Sequence, residues 1–334
     1  MQSISILLFL CYIIQASSTN ILERFNDWAT AFHIGFRDDM HLYDVYNKWV
    51  TNDNFIAKIN AQNLTYTLGH NQFSGMDTND YRKYNLLESQ KRTYRFLEMD
   101  SFDYVDIPSS VDWVSAGAVT PVKNQGQCGS CWSFSTTGAL EGAYYNKYGT
   151  LLSFSEQQLV DCDNLQNGGR DHGCNGGLMD NAFSWIKKNG GLCLEQNYPY
   201  VSGTTTVSET CKTTCSVNTN SKIISFIDVL PNSDSAMMTA LTKQPVSIAI
   251  EADQPAFQLY KSGVFTGTCG TKLDHGVLVV GYGTEGTNDY YTVKNSWGET
   301  WGTGGYIKLG RGANYNRGAG QCGMLMQGSY PELD

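Results

Sequence analysis

Read for periodicity, the chain changes character along its length. From Cys131 onward, Trp132, Ala139, Leu140 and Ala143 fall near i, i+7, i+8 and i+11, the spacing of one apolar helix face. A second helix is expected where Ser155 and Gln158 form a capping box ahead of Leu159 and Val160. A third runs from Leu178 to Asn189 and stops at Gly190, a suitable residue just past a helix end. A fourth covers roughly Ser235 to Lys243, ahead of Pro245. Beyond about residue 220 the pattern turns to strands. Val277–Val280, Tyr290–Val293 and Gly305–Leu309 are runs of β-branched and aromatic residues divided by glycine-rich turns. Helices first and strands later predict an α+β fold.

Upstream the patterning is different. Ile4 to Ile14 form an apolar run too short to span a bilayer, followed by the small residues Ala16-Ser17-Ser18, so residues 1–18 read as a secretory signal. No later stretch reaches membrane-spanning length. Residues 19–106 read as helix followed by a polar segment, and 86–106 as a charged, protease-accessible linker.

Composition narrows the class. At 334 residues, with 41% hydrophobic residues, 34 glycines and 20 tyrosines, the chain is a loop-rich globular protein. A formal net charge of −9 and the absence of a Lys/Arg cluster exclude a nucleic-acid partner. Of ten cysteines, Cys11 lies in the signal and the rest stand from residue 128 onward. Setting Cys131 aside leaves an even number, all pairable in an oxidising lumen, so one thiol is marked as reactive. A metal site is not expected, because His172 and His275 stand far in sequence from Cys128-x-x-Cys131.

The stretch Gln125-Gly-Gln-Cys-Gly-Ser-Cys131-Trp places a cysteine in the first turn of the first predicted helix, where the macrodipole favours thiolate. Alone, Cys-x-x-Cys is also half a zinc site or a redox pair. Far downstream come Leu273-Asp-His275-Gly276-Val and Val293-Lys-Asn295-Ser-Trp297-Gly. With these motifs in this order the chain resembles the papain/cathepsin family of cysteine peptidases. Ile107-Pro-Ser-Ser-Val-Asp-Trp113 is similar to the mature amino terminus of that family. Trp49, Asn52, Ile56 and Asn60, with Gly69-His-Asn-Gln-Phe73, resemble its cathepsin L-type inhibitory prosegments, although His41, Val45 and Gly75 stand where the family has Glu, Arg and Asp.

The resemblance implies a two-lobed α+β fold, a helical lobe facing a β-barrel-like lobe, preceded by a mainly helical prosegment. The expected division is signal 1–18, prosegment 19–106 and mature peptidase 107–334. It implies Cys131 as nucleophile, His275 as acid/base, Asn295 as the residue that orients His275, and Gln125 as an oxyanion donor beside the backbone N–H of Cys131. Asp274 is not expected to orient its neighbour, since adjacent strand residues point to opposite faces. Trp297 is expected over the Asn295–His275 contact. Gly176 and Gly177 resemble the edge that pairs with substrate backbone, and Leu178, Met179, Ala249, Leu273, Gly276 and Gln327 match positions of the S2 pocket, Gln327 at its floor. Such a pocket implies Leu, Phe or Val at P2 with weak acceptance of Arg. Disulfides Cys128–Cys174 and Cys269–Cys322 are implied, with Cys162 bonded to a partner near residue 211. Cys193 is extra, so Cys162–Cys211 with Cys193–Cys215 is proposed and the swapped pairing stays open.

The expected partners are protein and peptide substrates and the chain's own prosegment as intramolecular inhibitor. No cofactor, metal, nucleic acid or membrane span is expected, and the chain is expected to be monomeric. Asn63-Leu-Thr65 is a glycosylation sequon. Localisation to the secretory pathway follows, ending in a lysosome-like acidic compartment or outside the cell. Three rivals remain open: a degenerate homologue that binds peptides without cutting, a peptide ligase using the same site, and a redox enzyme using Cys128 with Cys131.

Overall fold

The computed structural model describes residues 21–85, 87 and 107–334. The expected signal, most of the expected linker and the cleavage point near residue 106 lie outside the described residues.

The helix Cys131–Tyr148 begins at the cysteine, as its pattern predicts, and ends at Gly149 in the left-handed region (φ +67°). One expectation fails here. The helix has no water-facing side through its first four turns, because Cys131 to Tyr144 are all buried. It is sandwiched between the helical lobe and the sheet, so its polar residues must find partners inside. Ser135 Oγ donates to Val277 O at 2.7 Å, and Thr137 Oγ1 donates to Glu156 at 2.5 Å. Beside it lie the helices Glu156–Cys162 and Met179–Asn189, the second closed by Gly190 at φ +83°. The capping box is only half made. Ser155 Oγ accepts from Gln158 N, but the Gln158 side chain accepts from Cys193 N, and Ser155 N donates to Cys193 O. A disulfide loop supplies what the box would have supplied.

The other lobe is a sheet of nine strands: β1 Tyr66–Leu68, β2 Val111–Asp112, β3 Ile223–Asp228, β4 Val246–Ile250, β5 Tyr260–Phe265, β6 His275–Glu285, β7 Asn288–Lys294, β8 Tyr306–Gly310 and β9 Gly328–Leu333. Their order is β1-β5-β8-β7-β6-β4-β9-β3, with β2 on β6. All pairs are antiparallel except β5 with β8. In β6 every residue from His275 to Gly283 is buried, which explains its long apolar run. The fourth predicted helix is Asp234–Lys243, capped by Ser233.

The disulfides among the described residues are Cys128–Cys174, Cys162–Cys211, Cys193–Cys215 and Cys269–Cys322, and Cys131 belongs to none of them.

The N-terminal segment has a core of its own. A helix over 21–31 and the helix Asp39–Asn60 bury Phe25, Trp28, Ala29, Val45 and Trp49 together. The spaced asparagines tie this helix to the chain that follows. Asn52 Nδ2 donates to Ser74 O and Met76 O at 2.8 and 2.9 Å, and Asn60 exchanges two hydrogen bonds with Leu68. The departures at 45 and 75 fit each other. A Cβ on Gly75 would come within 2.7 Å of Val45 Cγ1 and 2.8 Å of the Trp28 ring, so an apolar close approach stands where the family has charges.

Sequence patterning missed β1, which is three residues long and adds an edge strand to the sheet lobe. Val264 N donates to Thr65 O at 2.9 Å, and Gly69 N donates to Leu259 O at 2.9 Å. Gly263 (φ +85°) is required there, because a Cβ would lie 2.4 Å from Thr65 O. Asn63 is exposed in the turn just before this strand.

Candidate active site

Cys131 opens its helix on one lobe, and His275 opens β6 on the other. The lobes meet so that Gly276 N points at Cys131 Sγ at 3.3 Å, which sets the sulfur one residue from the imidazole. Both side chains are buried. His275 Nε2 is 2.8 Å from Asn295 Oδ1, and an amide oxygen can only accept, so Nε2 carries the proton. Nδ1 is the ring nitrogen that remains for the thiol. Asp274 is engaged elsewhere: its Oδ1 accepts from Ala252 N at 2.8 Å. Trp297 stacks on the imidazole with centroids 4.5 Å apart and planes 24° from parallel. Burial pushes His275 down to about 4, against the raising effect of its bond to Asn295.

Gln125 stands on the same cleft wall. Its Oε1 accepts from Ser296 Oγ at 2.7 Å, and its backbone N donates to Ser296 O. This fixes the amide with Nε2 facing the cleft, a role for Ser296 that sequence reading did not single out. Nε2 donates to Cys128 O and, at 2.9 Å, to the carbonyl of Tyr84 in the N-terminal segment.

That segment fills the cleft. Phe73 and Tyr81 meet Trp297 edge-on at 5.3 and 5.5 Å, and Gln72 Nε2 donates to Trp297 O at 2.6 Å. Tyr81 OH donates to Ala252 O, and Leu87 N donates to Asp274 O. Gln258 Nε2 donates to Phe73 O while its own carbonyl accepts from Asn71 Nδ2. Residues 71–85 and 87 therefore lie from the Trp297 side of the sulfur to the far side. Tyr81, Arg82, Tyr84 and Leu87 are site neighbours that sequence reading missed, since each gains meaning only when the segment is folded over the cleft.

The expected pocket residues also gather. Met179, Ala249 and Cys174 belong to one buried apolar cluster, against which Leu273 and Leu87 pack. Leu178 is buried at the start of the Met179–Asn189 helix. A Cβ on Gly276 would approach Met179 Sδ at 3.2 Å, so these two positions touch. Gln327 O accepts from Ala249 N, and the Gln327 side chain is half-buried. Gly176 (φ +106°) and Gly177 form a rim over Asp171, whose Oδ1 accepts from Leu178 N. Residues 164–170 are mostly exposed, and the flanking Asp163 and Asp171 are buried. Among the described residues no cluster of potential metal ligands occurs, and no helix is long and apolar enough to cross a membrane.

A cysteine outside every described disulfide at a helix start in one lobe, a histidine held by an asparagine of the same sheet in the other lobe, and a covering N-terminal segment define a two-lobed thiol protease in a precursor arrangement. The family model for papain family cysteine proteases matches residues 107–332, and the chain belongs to that family. It is 47% identical over 272 residues to probable cysteine protease RD21C of Arabidopsis thaliana, a match covering 80% of this chain and 58% of that protein. It is 41% identical to the senescence-specific cysteine protease SAG39 of Oryza sativa subsp. indica, over 92% of this chain and 89% of that one. Among solved structures, a recombinant stem bromelain precursor superposes with a TM-score of 0.84 at 37% identity, covering 94% of this chain and 99% of its own. Digestive procathepsin L 3 of Tenebrio molitor gives 0.81 at 34% identity, with coverage of 94% and 99%.

Proposed function

We propose that the chain is the precursor of a cathepsin L-type cysteine endopeptidase, with a signal at 1–18, a prosegment at 19–106 and the mature enzyme at 107–334. The Cys131 thiolate adds to the scissile carbonyl, and the oxyanion takes hydrogen bonds from Gln125 Nε2 and the backbone N–H of Cys131. The protonated His275 gives its proton to the leaving amine, which departs and leaves a thioester. Water then attacks, His275 takes its proton, and the acid product leaves as the thiolate reforms. Asn295 orients the ring and Trp297 keeps water from the contact. No cofactor enters.

One observation carries the reading. The donor on Gln125 is held by the chain's own Tyr84 carbonyl while Cys131 and His275 are 0% exposed. The same burial keeps His275 neutral near pH 7, so the ion pair is disfavoured until the segment leaves and water returns. The side chain of Leu87 against the cluster that holds Met179 and Ala249 supports an apolar P2 residue, and the neutral Gln327 supports weak Arg acceptance. The Gly176–Gly177 rim is the backbone-pairing edge. The disulfides and the exposed Asn63 sequon support passage through the secretory pathway, with glycosylation at Asn63 and an acidic or extracellular destination. The chain acts as a monomer on proteins and peptides.

The test is the full-length Cys131→Ala chain beside wild type at acid pH. Wild type should shed residues up to about 106, become labelled by iodoacetamide and cut a Leu-containing peptide. The variant should stay full length and inert while folding normally. Peptide cleavage persisting in the variant would overturn the reading.

A further inference from the structure

Arg82 makes the most specific contact of the cleft-crossing strap that the mechanism leaves unused. Its Nε and Nη2 both lie 2.9 Å from Asp253 Oδ2. Asp253 sits just beyond β4, next to Ala252, whose carbonyl receives the Tyr81 hydroxyl. Its other oxygen is fixed in place: Oδ1 accepts from Gln254 Nε2 at 2.8 Å, and the same amide holds Glu251 Oε1 at 2.9 Å. Glu251 is itself anchored by the backbone N–H groups of Gly270 and Lys272. Asp253 Oδ2 is thus aimed outward by a buried support, with the Arg82 guanidinium seated on it. The side chains are 17% and 56% exposed, so water and salt reach the pair.

Its place along the cleft follows from its neighbours. Tyr81, one residue earlier, packs on Trp297, and Tyr84, two residues later, puts its carbonyl on Gln125. Leu87 then reaches the apolar cluster on the other side. Arg82 therefore lies on the side of the sulfur that receives the leaving amine. When the strap departs, Asp253 keeps its support and loses its cation.

We infer that Asp253 forms a leaving-group-side subsite for a basic side chain of the substrate, preferring arginine, which Arg82 occupies in the precursor. The inference rests on the peptidase reading above. A guanidinium can present two N–H groups to one carboxylate oxygen in a fixed fork, whereas an ammonium meets it as a point charge. An exposed pair of this kind is worth about two- to five-fold in kcat/KM, less at high salt.

The experiment uses enzyme processed from the full-length chain and fluorogenic peptides carrying Arg, Ala or Glu at each of the first three positions after the cut. Wild type should favour Arg over Ala by about two- to five-fold at one position, with the ratio shrinking in 0.5 M salt. Asp253→Asn should bring that ratio near unity, and Asp253→Lys should invert it toward Glu. A ratio below two at every position, or one that Asp253→Asn leaves intact, overturns the subsite. If no peptide at all is cut, the peptidase reading is what has failed. Binding of the same Arg and Ala peptides to Cys131→Ala protein, with the segment removed in trans, then decides the subsite separately.

Discussion

Residues 21–60 of the N-terminal segment bury Phe25, Trp28, Val45 and Trp49 against one another. Residues 66–85 instead bury Tyr66, Leu68, Phe73 and Tyr81 in the core of the barrel lobe. The first region is a small folded unit, and the second is a strap whose stability belongs to the domain it covers. Fold of the segment and closure of the cleft are therefore distinct properties, coupled where Trp28, Lys48, Trp49, Asn52 and Asn60 of the helical unit meet the strap. A mutation in the helical unit should change how readily the segment melts. One in the strap should change how well the site is covered.

The largest effect is expected where the strap meets the chemistry. Gln125→Ala removes one oxyanion donor and should lower kcat of the processed enzyme by about 10²–10³. It also removes the Tyr84 anchor, so the precursor should show faster iodoacetamide labelling of Cys131. A kcat within threefold of wild type would exclude Gln125 from the oxyanion site. Next comes Phe73→Ala. It empties a buried site against Trp297 and should cost about 3–5 kcal/mol, a hundredfold or more in inhibition by the segment. Melting of the helical unit should be unchanged. A parallel loss of helix signal would break the separation proposed above.

Gly75→Ala tests the helical side. The added methyl meets Val45 and Trp28, so overpacking should cost about 1–3 kcal/mol in the unit. Val45→Ala in the same chain should recover part of it, with a coupling term measurable by thermal melting in a double-mutant cycle. Simple additivity would mean that the two positions do not press on each other.

Much of the catalytic domain was legible from its residues because its determinants are local. A cysteine at a helix start, strands of β-branched residues and the Gly190 stop each declare themselves within a few positions. The Cys131–Tyr148 helix misled because burial on all sides erases amphipathicity: a polar face made of Ser135 and Thr137 bonded inside looks like a water-facing one. The capping box misled because the Gln158 side chain had a better use, Cys193 N, supplied by a loop far along the chain. β1 and the strap were illegible for a related reason. Three residues carry no period, and Arg82, Tyr84 and Leu87 are ordinary surface types until Asp253, Gln125 and the Met179 cluster arrive from more than forty positions away in sequence.

The smallest effect concerns acid. Proton uptake by carboxylates of the segment is one route to release, yet Asp80 points elsewhere. Burial raises its pKa, but hydrogen bonds and charge from Lys48 outweigh this and hold it below its ordinary 3.8, so it contributes stability above that pH and stays ionised in mild acid. His70 has the right window. Its ring stacks on Trp49 with centroids 4.6 Å apart, and Nε2 is 3.1 Å from Asp53 Oδ1, which also accepts from Arg24. Burial lowers its pKa below 6.5, more than the Asp53 contact raises it. The folded unit then binds fewer protons than the unfolded one, so the stability His70 contributes is full above 6.5 and is lost as pH falls through 6.5 toward its folded value. Asp274 opposes this. Pushed up to about 7 chiefly by burial, it favours the folded, covered state at acid pH, a contribution lost as pH rises through 7. His70→Gln should therefore shift the midpoint of acid-driven segment release downward by roughly a few tenths of a pH unit, with processing at pH 4 retained. An unmoved midpoint in His70→Gln, alongside a moved one in Asp80→Asn, would return the trigger to the carboxylates and place it in the strap's own ion pairs with the helical unit.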